Sequence, residues 1–354
     1  MIRLSRHRWS PIGLDIDSHR ISALQLSGDQ LSAVLSLPRS DTGDALSPGD
    51  VQRLVAALRR CGFHGRRVVL CVPAGSEQID RLELPEDRPG VPFAQIAAAE
   101  MARIHRCDPQ EVEVAFWNLP ISTGLGTSVL AAACLHQDAE ALLDPLEAHG
   151  LLVQALDIRG WALARAIAGW GKVADNITAA VDLGWDASTF VLLHEGTLVY
   201  QRTLETSGLQ NLADSIQSEH GFAAEVIEHV LYELGCETDR CSEPGNARLH
   251  TAVAHQIEAH TEAIAHELNL SMQYASDQYP DADLQHLLLT GNGAVIPGLA
   301  EQLGQLLDTT VVGVCLGELT SCPDPFATES LSTSLPIALG LAKYDQEVVR
   351  CLGQ

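Results

Sequence analysis

Positive charge is scarce in this sequence. Lys and Arg number 22 against 46 Asp and Glu, a formal net charge of −24, so most of the molecule would repel a phosphate backbone or an anionic membrane surface. No nucleic acid partner is expected. Paired cysteine motifs are also missing: the nine cysteines are scattered, odd in number and form no CxxC, which argues against a disulfide framework and for reduced thiols in a cytosol. No apolar run approaches the ~20 residues of a membrane-spanning helix. Arg3, Arg6 and Arg8 make the start basic, but Pro11, Asp15 and Asp17 follow where a signal peptide would need its apolar region. The expectation is a cytoplasmic protein with no direct membrane insertion. At 46% hydrophobic and 19% charged residues over 354 positions, the chain can build two or more domains with real cores.

What is present is one αβ plan written twice. Ile12 to Asp17, Ile21 to Ser27 and Gln30 to Pro38 read as three successive strands. A helix follows on Val51, Leu54, Val55 and Leu58, and then a buried strand from Val68 to Val72 that Pro73 ends. Leu151 to Ile158 adds a strand, and a helix runs from about Trp161 to Trp170. The second copy has strands at Ile177 to Leu183, Ser188 to His194 and Thr197 to Leu204, then helical periodicity through Leu209, Leu212 and Ile216. Downstream come a strand from His286 to Thr290, a helix from about Pro297, a strand from Thr310 to Leu316 and a last helix near Leu335 to Lys343. Each copy carries an insertion. The second is largely helical, because Val253, Ile257, Ile264 and Leu268 fall on one stripe.

Asp15 and Asp182 occupy the same place in the two copies, each at the end of a first strand and before a tight turn: Asp15-Ile16-Asp17-Ser18 and Asp182-Leu183-Gly184. Two such hairpins facing across a cleft would offer backbone N–H groups to a polyphosphate, with the two aspartates holding Mg²⁺ through its waters. Leu287 to Gly293 ends in Gly291-Asn292-Gly293 and leads into a helix, a turn that lets backbone approach a nucleotide where side chains would obstruct. Singly, each element is ordinary turn punctuation. Their order in a duplicated plan carries the signal. Other patterns carry less: His250, His255, His260 and His266 rotate around a helix and read as solvated histidines, and Cys61-Gly-Phe-His64 has no second pair to make a metal site. Trp161 and Trp170 read as core or interface residues.

Ile12 to Ser18, Val181 to Thr189 and Leu287 to Pro297 resemble the two phosphate motifs and the adenosine motif of the actin, sugar-kinase and DnaK-type superfamily. Within it the chain is similar to the PilM proteins of type IV pilus assembly over nearly its whole length. The stretches carrying that likeness include Arg81 to Pro85, Glu111 to Trp117, Leu142 to Leu151, Glu219 to Glu228 and Glu267 to Tyr274. The resemblance implies an α/β, actin-like (ribonuclease-H-like), duplicated two-lobed fold with an inserted subdomain of the type shared by PilM and the division protein FtsA. It implies first-lobe segments at 1–75 and 151–176, the inserted subdomain at 76–150, second-lobe core at 177–216 and 284–354, and a helical insertion at 217–283. It also implies ATP with Mg²⁺ as ligands. Asp15, Asp17, Ser18, Asp182, Gly184, Ser188 and Gly208 would lie toward the phosphates, Asp15 and Asp182 as the catalytic and metal-orienting pair, with Glu225, His229, Gly291, Asn292 and Gly293 lining the rest of the pocket.

Two residues depart from the family pattern. Asp17 stands where Gly is usual and Ser22 where Lys is usual, so the phosphate end is more negative. One extra charge about 4 Å away is worth roughly 4 kcal/mol at a surface-like dielectric before screening. Arg20, two residues from Ser22 on a strand, could reach the same face. Asn292 replaces a Gly of a triple-glycine turn, a mild change because Asn tolerates left-handed backbone. The expected function is a cytoplasmic scaffold that binds Mg-ATP, hydrolyses it slowly or not at all, and captures the N-terminal tail of a PilN-like membrane protein, which recruits it to the inner membrane. A small-molecule kinase and an FtsA-like filament are the alternatives, and self-association is left open. The kinase lacks a motif for a base and lid, and the filament lacks a basic amphipathic end, since Leu341 to Gln354 carries Asp345 and Glu347.

Overall fold

A computed structural model describes residues 9–40, 46–72, 75–86, 88, 90–120, 126–168, 170, 177–236, 244–279 and 286–345. The basic residues Arg3, Arg6 and Arg8, the strand-ending Pro73 and the tail beyond Asp345 lie outside the described residues. The chain divides into two compact units, one of Met1–Ala168, Thr197–Gln201 and Ile337–Gln354, the other of Gly169–Gly196 and Arg202–Pro336.

The first unit opens with β1 (Ile12–Ile16), β2 (Arg20–Ser27) and β3 (Gln30–Pro38), followed by α1 (Pro48–Arg60) and β4 (Arg67–Cys71). Local chemistry sets α1: Ser47 Oγ accepts from Asp50 N at 3.1 Å, Pro48 stands in the first turn, and Arg59 and Arg60 face the negative end of the dipole. β5 (Gln78–Leu84), α2 (Phe93–His105), β6 (Val112–Asn118) and β7 (Thr127–Leu135) then form a separate antiparallel sheet in the order β5-β7-β6, on which α2 buries Phe93, Ala97 and Met101. From β7 the chain runs directly into α3 (His136–Ala148), whose Leu142 and Leu146 join Leu14, Leu54 and Leu70 in the core beneath the first sheet. β8 (Leu152–Asp157) and α4 (Arg159–Ile167) follow. The main sheet has the order β3-β2-β1-β4-β8, antiparallel from β3 to β1 and parallel from β1 to β8.

A second sheet repeats the first with β9 (Ile177–Leu183), β10 (Ser188–His194) and β11 (Thr197–Leu204), of which Thr197–Gln201 count with the first unit. Next come α5 (Leu209–His220), α6 (Ala224–His229) with a π-helical turn at Val230–Leu234, and the long α7 (Pro244–Gln278). β12 (His286–Thr290), α8 (Leu299–Leu307), β13 (Thr310–Gly313) and α9 (Leu316–Leu319) follow, and α10 (Pro336–Ala342), which from Ile337 counts with the first unit, comes last. The order β11-β10-β9-β12-β13, with β9 antiparallel to β10 and parallel to β12, matches the first sheet strand for strand. The expected stripe on α7 is buried at Val253, Ile257, Ile264 and Leu268, about 2 kcal/mol of apolar transfer each.

Several boundaries shift by a residue or two, and two elements change more clearly. The strand expected to run from Thr310 to Leu316 stops at Gly313, because Cys315 caps a short helix in which its N–H donates to Glu318 Oε2 at 2.9 Å. The helix expected from Trp161 starts at Arg159 and ends at Ile167.

Candidate functional site

Register fixes the equivalence of the two aspartates. Asp15 is the second-last residue of β1 and pairs with Ser22; Asp182 is the second-last residue of β9 and pairs with Thr189. Each lies on a central strand whose neighbour is parallel, so each sits at a carboxyl end, where open α/β sheets place ligands.

In the first unit Asp15 Oδ1 accepts from Arg159 Nη1 at 2.7 Å, with both side chains 11% exposed. Sequence reading did not single out Arg159, because 144 residues separate the partners. A usable signal was its place directly after a parallel strand, at the same carboxyl edge as Asp15. Asp17 folds back on its own hairpin: its Oδ1 accepts from His19 N at 2.8 Å and Arg20 N at 2.6 Å, while Asp17 N donates to Arg20 O at 3.0 Å. Such an Asx turn engages backbone N–H groups of the kind a polyphosphate would seek. Ser18 lies inside this turn. Arg20 does share a face with Ser22, since Arg20 Nη1 reaches Ser36 Oγ at 3.2 Å and Ser22 Oγ lies 3.5 Å from the same oxygen. Arg39 adds a second cation near the hairpin: its Nη1 donates to Asp17 O at 3.0 Å, and its side chain is 2% exposed.

In the second unit Asp182 is buried, and Thr290 Oγ1, its register partner on β12, donates to Asp182 Oδ1 at 3.0 Å. Around it the glycines serve close packing. A Cβ on Gly184 would lie 2.4 Å from Ala187 O, and one on Gly208 would lie 2.3 Å from Asp186 O. Ser188 Oγ donates to Ser207 O at 2.9 Å and Leu209 N to Gly184 O at 3.2 Å, which fixes the turn after β9 against the start of α5. Gly291, at φ +89°, and Gly293 both sit on Leu183, where a Cβ would come within 2.5 and 2.6 Å of its atoms. Asp182, Gly184, Ser188, Gly208, Gly291 and Gly293 are therefore brought together in one unit.

Asn292 adopts φ −65°, ψ −32°, right-handed backbone, so the left-handed tolerance expected of it is not needed. Glu225 and His229 are exposed one turn apart on α6. That helix reaches the glycine turn through Gly235, at φ +56° and unnoticed in the sequence, against which Pro297 packs; Cys236 N donates to Pro297 O at 2.8 Å. Of the four α7 histidines, His255 and His266 are exposed as expected. His260 is not solvated: its Nε2 is buried without a hydrogen-bond partner, and burial lowers its pKa to about 4. No group of three or more potential metal-ligating side chains occurs among the described residues. Cys61 is an exposed free thiol, and His64 stacks on Trp9 at 4.0 Å.

A groove of about 470 Å³ lies within the first unit, between β6 and β7 of the small sheet, α3, and the edge strand β8. Ala115, Ala133, Leu143, Val153 and Leu156 give it an apolar lining, and Glu113, Glu140 and Glu147 bring carboxylates to it. No helix among the described residues is long and apolar enough to cross a membrane.

Comparison with known proteins agrees with this architecture. A chain of the PilM-PilN type IV pilus biogenesis complex superposes with a TM-score of 0.79 at 20% identity, covering 96% of this chain and 99% of that one. Ethanolamine utilization protein EutJ from Carboxydothermus hydrogenoformans gives 0.55 at 14% identity, with 97% and 92% covered. MreB5 of Spiroplasma citri bound to AMPPNP gives 0.54 at 12% identity, with 99% of each chain covered. The fold is the actin-like one. A family model described as type IV pilus assembly protein PilM matches residues 13–344. With a match over nearly its full length, the chain belongs to the PilM family of type IV pilus assembly proteins.

Proposed function

We propose that this protein is a nucleotide-binding scaffold of type IV pilus assembly, which takes Mg-ATP at the Asp15 and Asp182 motifs and holds the N-terminal tail of a PilN-like membrane protein. The observation that carries the reading is the groove between the small sheet and β8. It combines an apolar floor able to bury aliphatic anchors with carboxylates from Glu113, Glu140 and Glu147, which suit a short apolar tail with a basic flank. The chain is a member of the PilM family, and the PilM-PilN complex shares its fold. A protein of this kind would reach the inner membrane through that partner.

For the nucleotide, support comes from the donor set and from the turns that surround it. Asp15 and Asp182 are hard oxygen donors at equivalent strand ends, suited to Mg²⁺ through its waters. The turns at Gly184, Gly291 and Gly293 pack backbone onto Ala187 and Leu183, which holds the turns after β9 and β12 together beside Asp182. MreB5, of like fold, was solved with AMPPNP and with ADP. Mg²⁺ would neutralise phosphate charge, while Asp182 is held for water-mediated contact by Thr290. Asp17 works against turnover, since its carboxylate already takes the N–H groups of His19 and Arg20 and adds negative charge at the phosphate end. Slow or absent hydrolysis follows.

Calorimetric titration of the full chain with the tail peptide tests the docking. Ala155→Arg, which fills the groove beside Leu156, should weaken binding at least ten-fold without lowering the melting temperature. Equal affinity of the variant would place the tail elsewhere.

A further inference from the structure

The parallel strands β1, β4 and β8 all start at one edge of the first sheet, the edge opposite Asp15. There the chain collects arginines without acids to match them. α1 ends on Arg59 and Arg60, both exposed, and the loop that follows carries exposed His64 and Arg66 before β4 begins at Arg67. Packing fixes this loop: Gln25 Oε1 accepts from His64 N at 2.7 Å, Gln25 Nε2 donates to His64 O at 2.7 Å, and the His64 ring stacks on Trp9. Arg66 O accepts from Leu152 N at 2.8 Å, and a Cβ on Gly150 would lie 3.6 Å from Arg66 Nη1. Arg59, Arg60 and Arg66 reach no carboxylate among the described residues, whereas Arg67 pairs with Asp345, Arg81 with Glu83, Arg103 with Glu100 and Arg202 with Glu267. Acids at this edge are already engaged. Asp345 is held by Arg67 and by Gln154 Nε2 at 2.6 Å, Asp29 lies near Lys343, and Glu147 faces the groove. The residues before Trp9 add Arg3, Arg6 and Arg8 among Met1, Ile2 and Leu4, with no acid between them.

On a chain of net charge −24, a loop of unpaired guanidinium groups is a local reversal of sign. Guanidinium is planar, always charged and matched to phosphate oxygens, so the patch suits phosphate-bearing headgroups. Leu152, 55% exposed at the same edge, adds an apolar contact of the kind an interfacial region accepts. The groove points to the same occupant. Its wall runs along β8 down to Val153, the residue after Leu152, and along α3 to Glu147, close to Gly150 and the Arg66 guanidinium. A tail held there and continuing into a membrane span must leave the groove toward a bilayer. We propose that Arg59, Arg60 and Arg66 form a contact for anionic phospholipid headgroups, which seats the first unit on the membrane with this end of its groove toward the bilayer. The seating rests on the scaffold reading above; the headgroup contact stands on the patch itself.

Co-sedimentation of the full chain with lipid vesicles tests the contact. Wild type should bind vesicles of phosphatidylcholine and phosphatidylglycerol in equal parts and ignore vesicles of phosphatidylcholine alone, with binding lost as salt is raised. Arg59→Gln, Arg60→Gln and Arg66→Gln combined should lower the partition coefficient about ten-fold or more, and the matching lysine triple should keep most of it. All three side chains are exposed, so the melting temperature should not move. If the glutamine triple folds poorly, Arg59→Gln with Arg60→Gln at the end of α1 gives the same test with a smaller loss. The tail peptide should bind wild type and glutamine variants equally in solution. Equal binding to both kinds of vesicle, or undiminished binding by the glutamine variants, overturns the headgroup contact. So does a wild type that ignores lipid but sediments as an oligomer through these arginines, which would give the patch to a second copy. A loss seen only on removing residues 2–8 overturns it too, by moving the lipid contact off the loop. Lipid binding without tail binding would leave the headgroup contact standing and overturn the scaffold reading.

Discussion

Thr290 donates its hydroxyl to the buried carboxylate of Asp182 at 3.0 Å, across the register of two parallel central strands. The bond holds one carboxylate oxygen toward β12. Thr290→Val keeps the shape and removes the donor. It should cost about 2 kcal/mol of stability, the usual worth of a hydrogen bond to a charged group, read as a lower urea midpoint. An unchanged midpoint would mean that Asp182 finds another donor at no cost.

Asp17 closes its own hairpin with its carboxylate. Replacing it with Gly removes a negative charge and releases His19 N and Arg20 N. Asp17→Gly should bind Mg-ATP roughly ten-fold tighter, about 1.4 kcal/mol, and raise phosphate release, while losing some hairpin stability. Weaker nucleotide binding in the variant would mean that the aspartate itself serves the ligand.

Asp50 has a fully buried side chain near Arg39 and Arg53. Burial pushes its carboxyl up, but hydrogen bonds from Ser40 N and Oγ, Arg53 and Ser47 outweigh that and hold it well below the usual carboxylate range. The folded value lies below the unfolded one near 3.8, so the group stabilises the fold above about pH 4. That contribution fades as pH falls through the folded value. Asp50→Asn should cost about 3 kcal/mol at pH 7. The gap between variant and wild type should narrow in acid unfolding below pH 4.

His260 gives the opposite residue type the same direction. Its folded pKa of about 4 lies below the unfolded 6.5, so the unfolded chain binds the extra proton between these values and stability falls as pH drops through that window. The full effect is at most about 3 kcal/mol. His260→Leu should flatten the stability profile between pH 6.5 and pH 4, measured by chemical unfolding at several pH values. A profile as steep as that of the wild type would assign the slope to other groups.

Much of the architecture was legible because apolar runs of strand length are bounded by turn residues. Gln30–Pro38, Ile177–Leu183, Ser188–His194 and His286–Thr290 match their expected bounds. Val311 to Leu316 misled because a short apolar run does not distinguish a strand from a strand followed by a helical turn. The placement of Asp15 and Asp182 could be read from duplication, since equal positions in two copies need no knowledge of contacts. Arg159 could not be read that way, because its role depends on β8 lying at the edge of the sheet, two strands from β1. Nor could the Asx turn at Asp17: the sequence shows the charge, and only the folded hairpin turns it onto two backbone donors.

A structure of the full chain with Mg-AMPPNP and the PilN-like tail peptide would test the scaffold reading most directly. The expected result is nucleotide phosphates and metal at the Asp15 and Asp182 motifs, and the tail seated against Ala115, Leu143 and Leu156. Nucleotide bound away from either aspartate, or a tail held outside that groove, would contradict it.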